Sequence, residues 1–181
     1  LRLSAAVRAS GRRVLMLVPE IALTPQVAAL FRQTFQERVA IQHSGLAAGE
    51  RHDQWHRIRR GQIDVVVGTR SAIFAPVEHV GLVIVDEEHD GSYKQDESPR
   101  YNGRDVAVVR AQKEQALVVF GTATPSMETA ANVESGRYER LRLTRRIFDR
   151  PMASVRVVDM RAEYAAVGPD VALSRALIDA I

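Results

Sequence analysis

A chain of 181 residues, 46% hydrophobic and 26% charged, has the makeup of one globular domain with a connector, and excludes a disordered or low-complexity tract. It has no cysteine, which excludes disulfides and thiolate metal sites, and its apolar runs fall far short of the roughly 20 residues needed to span a bilayer. The net charge of +3 permits a polyanionic partner without requiring one, and with no leader after Leu1 the expectation is a cytoplasmic protein that forms part of something longer.

Val14–Val18 is the first apolar run without alternation, the pattern of a strand buried on both faces. Pro25–Phe35 follows as a helix, with Val27, Leu30, Phe31 and Phe35 at helical spacing and Thr24-Pro25 at its start. Val39–Gln42 is the second strand. Gly49–Arg60 is a helix whose apolar side is Trp55 and Ile58, so Trp55 is expected in the core. Asp64–Val67 and Leu82–Val85 are further strands. Arg104–Gln115 is a helix and Leu117–Phe120 a fifth strand. Strand alternating with helix predicts an α/β domain: a parallel sheet with helices on both faces. The pattern changes after Gly136, and a boundary is expected near residue 140, dividing 1–139 from 140–181. Beyond it, Arg140–Leu143 and Ser154–Asp159 read as extended segments around a turn at Pro151. Ala162–Pro169 reads as loop, and Ser174–Ile181 as the start of a helix.

In open α/β sheets ligands bind at the carboxyl ends of the strands. Polar signatures stand there five times: Pro19-Glu20, His43-Ser44-Gly45, Gly68-Thr69-Arg70-Ser71, Asp86-Glu87-Glu88-His89 and Gly121-Thr122-Ala123-Thr124-Pro125. An apolar strand ending in Asp-Glu suits a magnesium–nucleotide site. Asp86 would hold the metal and Glu87 would orient the attacking water. Tyr93 and Tyr101 lie in a polar segment with Lys94, Arg100 and Arg104, where aromatics stack on bases and cations hold phosphates. The competing reading packs both tyrosines on the sheet edge. Arg70 is a phosphate contact or a surface ion pair. Arg57, Arg59 and Arg60, like the later arginine group from Arg137 to Arg146, read as solvated faces. His52 and His56 have metal-ligand spacing but no clear third ligand.

These phrases resemble the superfamily-2 helicases, and in particular the PriA-type family of primosomal replication-restart DNA helicases. Asp86–His89 is similar to motif II and Gly121–Pro125 to motif III. Val18–Gln26 resembles motif Ia, Gly68–Pro76 resembles motif Ib, and Ser92–Gln95 with Pro99–Asp105 resembles the aromatic-rich loop. The resemblance extends over roughly the whole chain. It implies a RecA-like first motor lobe over 1–139, followed over 140–181 by a connector toward a second lobe. It also implies an ATP-dependent 3′ to 5′ helicase that recognises stalled forks and starts primosome assembly. Its cofactors would be ATP and Mg²⁺, and its partners forked and single-stranded DNA, primosome proteins and single-stranded DNA-binding protein. A membrane is not among them. By the same resemblance Asp86, Glu87 and His89 are catalytic, and Asp86, Glu87, Thr122 and Thr124 line the nucleotide. Pro19, Thr24, Gln26, Thr69, Arg70, Tyr93, Lys94, Arg100, Tyr101 and Arg104 face DNA.

Two features depart from the family pattern. No Gly-x-x-x-x-Gly-Lys-Ser/Thr loop occurs, so the chain alone is expected to be inactive, and the family's zinc-binding cysteines would lie further downstream. Gly103 stands where a residue with a side chain is expected, which would loosen the aromatic loop. The alternatives are another superfamily-2 motor, such as a RecG-like or RNA helicase, and a non-catalytic DNA-binding module. A metal-dependent hydrolase built on Asp86, Glu87, Glu88 and His89 is a more distant one.

Overall fold

The computed structural model describes residues 1–19, 24–144, 154–168 and 171–181. They group into two compact units, Leu1–Glu139 and Arg140–Ile181.

The first unit is a five-stranded, all-parallel sheet. Its strands are β1 (Arg13–Leu17), β2 (Val39–Gln42), β3 (Val65–Gly68), β4 (Val80–Asp86) and, after two short strands, β7 (Leu117–Gly121), in the order β2-β3-β1-β4-β7. The short strands, β5 (Lys94–Gln95) and β6 (Tyr101–Asn102), form a separate antiparallel pair. The five apolar runs of the sequence become the five strands because side chains alternate faces and both faces are covered. Leu15, Leu17, Val66, Val83 and Val85 point one way, onto α3 (Ala48–Arg59) and α4 (Gly103–Glu114) through Ile58, Ala107 and Ala111. Val14, Val65, Val67 and Leu82 point the other way, onto α1 (Arg2–Ala9) and α2 (Thr24–Phe35) through Val7, Phe31 and Phe35.

At the amino ends of the strands, Asp64 is held between Arg8 and Arg38, with Nε to Oδ2 distances of 2.5 and 2.6 Å. Burial pushes its pKa up, but the two guanidinium groups outweigh this and hold it below the usual carboxylate value. At the carboxyl ends, Gly68 closes β3 where a Cβ would lie 2.1 Å from the Gln42 carbonyl oxygen and 2.5 Å from the Ala72 Cβ. The obstacle is backbone and cannot swing away. Gly68→Ala is therefore expected to destabilise the chain by about 1–3 kcal/mol, read as a lower urea midpoint at unchanged slope. An unaltered midpoint would contradict this packing of β2 against β3.

Three helices correct the sequence reading. The segment before β1 is α1, unrecognised because its buried positions are the polar Ser4 and the half-buried Val7 and it offers no apolar stripe. A helix α5 (Met127–Glu134) follows β7, capped by the Ser126 hydroxyl, which accepts from the Thr129 amide at 3.2 Å. In the second unit the expected loop Ala162–Pro169 is instead α6 (Met160–Val167), because Asp159 caps its start and Gly168 stops it. The expected helix over Ser174–Ile181 is shorter, α7 (Arg175–Ile178). Arg140–Leu143 and Ser154–Asp159 form no strand. The turn at Pro151 and the residue Glu20 lie outside the described residues.

Candidate functional site

All five polar signatures leave the same edge of the sheet, since the strands are parallel and each signature follows its strand. Asp86 lies directly opposite Gly121 in the β4–β7 ladder. Glycine there leaves room, as a Cβ would come within 3.2 Å of the Asp86 Oδ1. Glu87 then takes a left-handed backbone, φ 45°, which turns the chain out of the sheet. The strain is held by the Glu88 amide donating to Gly121 O at 3.1 Å and the Asp90 amide donating to Glu87 O at 2.8 Å. Asp86 and Glu87 are half-exposed.

Glu88 points the other way and is 2% exposed. Its carboxylate accepts from the Ser126 amide (2.7 Å), the hydroxyls of Ser126 and Thr129 (both 2.9 Å) and the Arg104 guanidinium (3.2 Å). Burial pushes its pKa up, yet these donors outweigh burial and the net direction is down. Three consecutive carboxylates thus divide: two face outward and the third anchors the turn. His89 ties the acidic turn to the next signature. Its Nδ1 lies 2.8 Å from Thr122 Oγ1 and 3.6 Å from Glu87 Oε2, and its Nε2 is 3.4 Å from Thr124 Oγ1.

The aromatic segment differs most from expectation. Tyr93 is 1% exposed, and its hydroxyl donates to the Asp86 carbonyl oxygen at 2.6 Å. It is a core residue, so its ring is not offered to bases. Burial, reinforced by the carboxylates of Asp86, Asp90 and Glu87, pushes its hydroxyl well above the usual tyrosine value. Removing that hydroxyl in Tyr93→Phe takes one hydrogen bond from the carbonyl at the end of β4. The expected cost is about 1 kcal/mol of unfolding free energy, with no change expected if the bond is absent.

Tyr101 is half-buried, edge-on to Phe74 with ring centroids 5.1 Å apart. Arg70 makes no ion pair among the described residues, and its guanidinium is already engaged within the fold. It donates to Ser92 O at 3.0 Å, to Lys94 O at 2.5 Å and to the Gln95 side chain, and lies over Tyr101 at 5.8 Å. Gly103 gives it passage, since a Cβ would be 3.1 Å from the Arg70 Cγ. The glycine therefore admits a brace rather than loosening the loop. Arg104, with a side chain 11% exposed, is committed to Glu88 and to the Ser126 hydroxyl at 2.7 Å.

The remaining DNA-facing candidates are scattered. Pro19 is buried, with its carbonyl accepting from Ser92 Oγ at 2.9 Å. Thr24 and Gln26 stand in the first turn of α2, Gln26 exposed. Thr69 is half-buried, and its amide donates to Gln42 O at 3.1 Å. Lys94 and Arg100 are exposed and both engage Asp96, at 3.2 and 3.0 Å. Trp55 is not core: it is 40% exposed. The Nε2 atoms of His52 and His56 lie 3.0 Å apart, but no group of three or more metal-ligating side chains occurs among the described residues. Nor is any described helix long and apolar enough to cross a membrane. Sequence reasoning missed Ser126 and Thr129 as partners of Glu88. The signal was the Ser126 cap position just after Pro125.

The family model for DEAD/DEAH box helicases matches residues 2–133. The replication restart protein PriA of Bacillus subtilis (strain 168) is 49% identical over 157 residues, covering 87% of this chain and 20% of that protein. PriA of Synechocystis sp. is 47% identical over 158 residues, covering 84% and 19%, and PriA of Haemophilus influenzae is 42% identical over 170 residues, covering 94% and 23%. The chain thus spans about a fifth of the length of these relatives. Among solved structures, S. cerevisiae Dbp5 bound to RNA and ADP BeF3 has a TM-score of 0.51 at 15% identity, over 71% of this chain and 33% of that one, a likeness of fold.

Proposed function

The chain belongs to the DEAD/DEAH box helicases, and from that premise we propose that it carries the metal- and water-handling half of an ATP-hydrolysis site in a replication-restart helicase. The observation that carries this reading is the division of the acidic turn. Glu88 is locked into the fold, whereas Asp86 and Glu87 stand half-exposed on the ligand edge beside Thr122 and Thr124. The outward pair of hard carboxylate oxygens fits Mg²⁺. When bound, Mg²⁺–ATP supplies charge neutralisation at the transferred phosphoryl group. Asp86 holds the metal. Glu87 orients a water and accepts its proton. His89, between Glu87 and the two threonines, relays the state of this turn to Gly121–Pro125.

On the resemblance to PriA, the reading extends to 3′ to 5′ DNA unwinding, recognition of forks and primosome assembly in the cytoplasm. It includes contact with single-stranded DNA-binding protein and a zinc site outside this cysteine-free chain. Residues 140–181 would lead toward a second motor lobe. DNA would cross the edge formed by Gln26, Thr69, Lys94, Arg100 and Tyr101, with Arg70 shaping the loop. The chain contains no phosphate-loop motif, so by itself it should show no ATP turnover, with or without DNA. In the complete helicase, Tyr101→Ala should weaken single-stranded DNA binding by about 5- to 150-fold, the equivalent of about 1–3 kcal/mol for one stack, with only a small fall in melting temperature from the lost contact with Phe74. Turnover by the isolated chain, or loss of melting temperature with unaltered DNA binding in Tyr101→Ala, would count against the reading.

A further inference from the structure

Trp55 is the single tryptophan of the chain and stands 40% exposed on α3. Ile58 is the helix's one buried residue, and Trp55, about 60° round the helix from it, lies at the solvent edge of that narrow buried stripe. One helical turn before and after Trp55 come Arg51 and Arg59, both exposed and on the same stripe. The side-chain contacts along α3 are Glu50 to the Ala47 amide, His52 with His56 and Asp53, and Arg57 to Glu37 O, so neither Arg51 nor Arg59 has its guanidinium engaged among the described residues. Arg60, just past the helix end, is exposed too, and the exposed Asp53 lies beside His52 rather than pairing with either arginine.

An indole with an unengaged guanidinium one helical turn to either side matches a chain of stacked bases and phosphates. An apolar protein partner would leave these cations desolvated. We propose that the stripe Arg51, Trp55, Arg59 is a docking track for single-stranded nucleic acid, distinct from the signature loops at the strand ends. The proposal rests on the reading of the chain as nucleic-acid-binding and adds a second surface to it.

Because Trp55 is the only indole, its emission reports on this surface alone. The chain is titrated with a dye-labelled deoxythymidine oligomer while dye anisotropy and tryptophan emission are followed together. The expected result is quenching with the same midpoint as the anisotropy rise, both moving to higher concentration as salt is added. Arg51→Glu with Arg59→Glu should weaken binding at least about 10-fold, and lysine at both positions should retain most of it. Anisotropy that rises while emission stays unchanged would place the oligomer elsewhere, overturning this proposal and leaving the nucleic-acid reading intact. No anisotropy change at all would overturn both. Emission that shifts with protein concentration in the absence of DNA would mean that a second copy of the chain covers Trp55, and would also overturn the proposal.

Discussion

Replacing Glu87 with glutamine in the complete helicase is expected to lower ATP turnover by about 10²–10⁴-fold, the usual cost of losing a positioned general base. Glutamine matches glutamate in size, so the exchange removes the proton acceptor and little else. The left-handed backbone at this position, φ 45°, is held by hydrogen bonds between main-chain atoms, from the amides of Glu88 and Asp90, and these remain. Asp86 also remains, so magnesium-dependent nucleotide binding should persist. Steady-state hydrolysis and binding of a fluorescent nucleotide, measured on the same preparation, separate the two effects. Turnover surviving in Glu87→Gln would remove the chemical basis of the hydrolysis reading.

The neighbouring residue should fail in another way. Glu88→Ala deletes the acceptor of four hydrogen bonds and leaves Arg104, whose side chain is only 11% exposed, with the exposed carboxylates of Asp105 (3.2 Å) and Glu128 (3.8 Å) but no buried one. Breaking a buried pair from one side typically costs about 3–5 kcal/mol, and that loss is expected in urea unfolding at pH 7. Glu88→Gln should be milder, since it keeps the shape and an acceptor oxygen. The acid dependence follows from the direction of the shift. The folded-state pKa of Glu88 is below its unfolded value of about 4.3. Its stabilisation is therefore complete above that unfolded value and is lost as pH falls through the folded one. The gap between the unmodified chain and Glu88→Gln should accordingly narrow in acid. A gap independent of pH from neutrality to below pH about 3 would show that Glu88 is not ionised in the fold.

The sheet was legible because every one of its strands is an unbroken apolar run, and only strands buried on both faces need that. The common edge of the five polar signatures was legible because a parallel sheet sends all its carboxyl ends one way. Tyr93 was not legible. A tyrosine that stacks on bases and one that hydrogen-bonds a strand end sit in equally polar loops, and only the fold-back to Asp86 O decides between them. Trp55 misled because its spacing from Ile58 matches a helix face, while α3 buries a single position and leaves the next ridge outside. Arg70 fitted neither expectation, since its partners are carbonyls from a segment more than twenty residues away in sequence.

The inward turn of Glu88 directly after two outward carboxylates reaches beyond the test tube into how much protein a cell contains. Variants at Asp86 or Glu87 should accumulate to normal levels as inert molecules that still occupy DNA, and so should act dominantly over the intact copy. Variants at Glu88 or Arg104 lose several kcal/mol of a margin that is typically only 5–15, and cellular proteases remove what fails to stay folded. Their phenotype should be recessive. Three adjacent acidic codons would then differ in their genetics for no reason other than which way each side chain points.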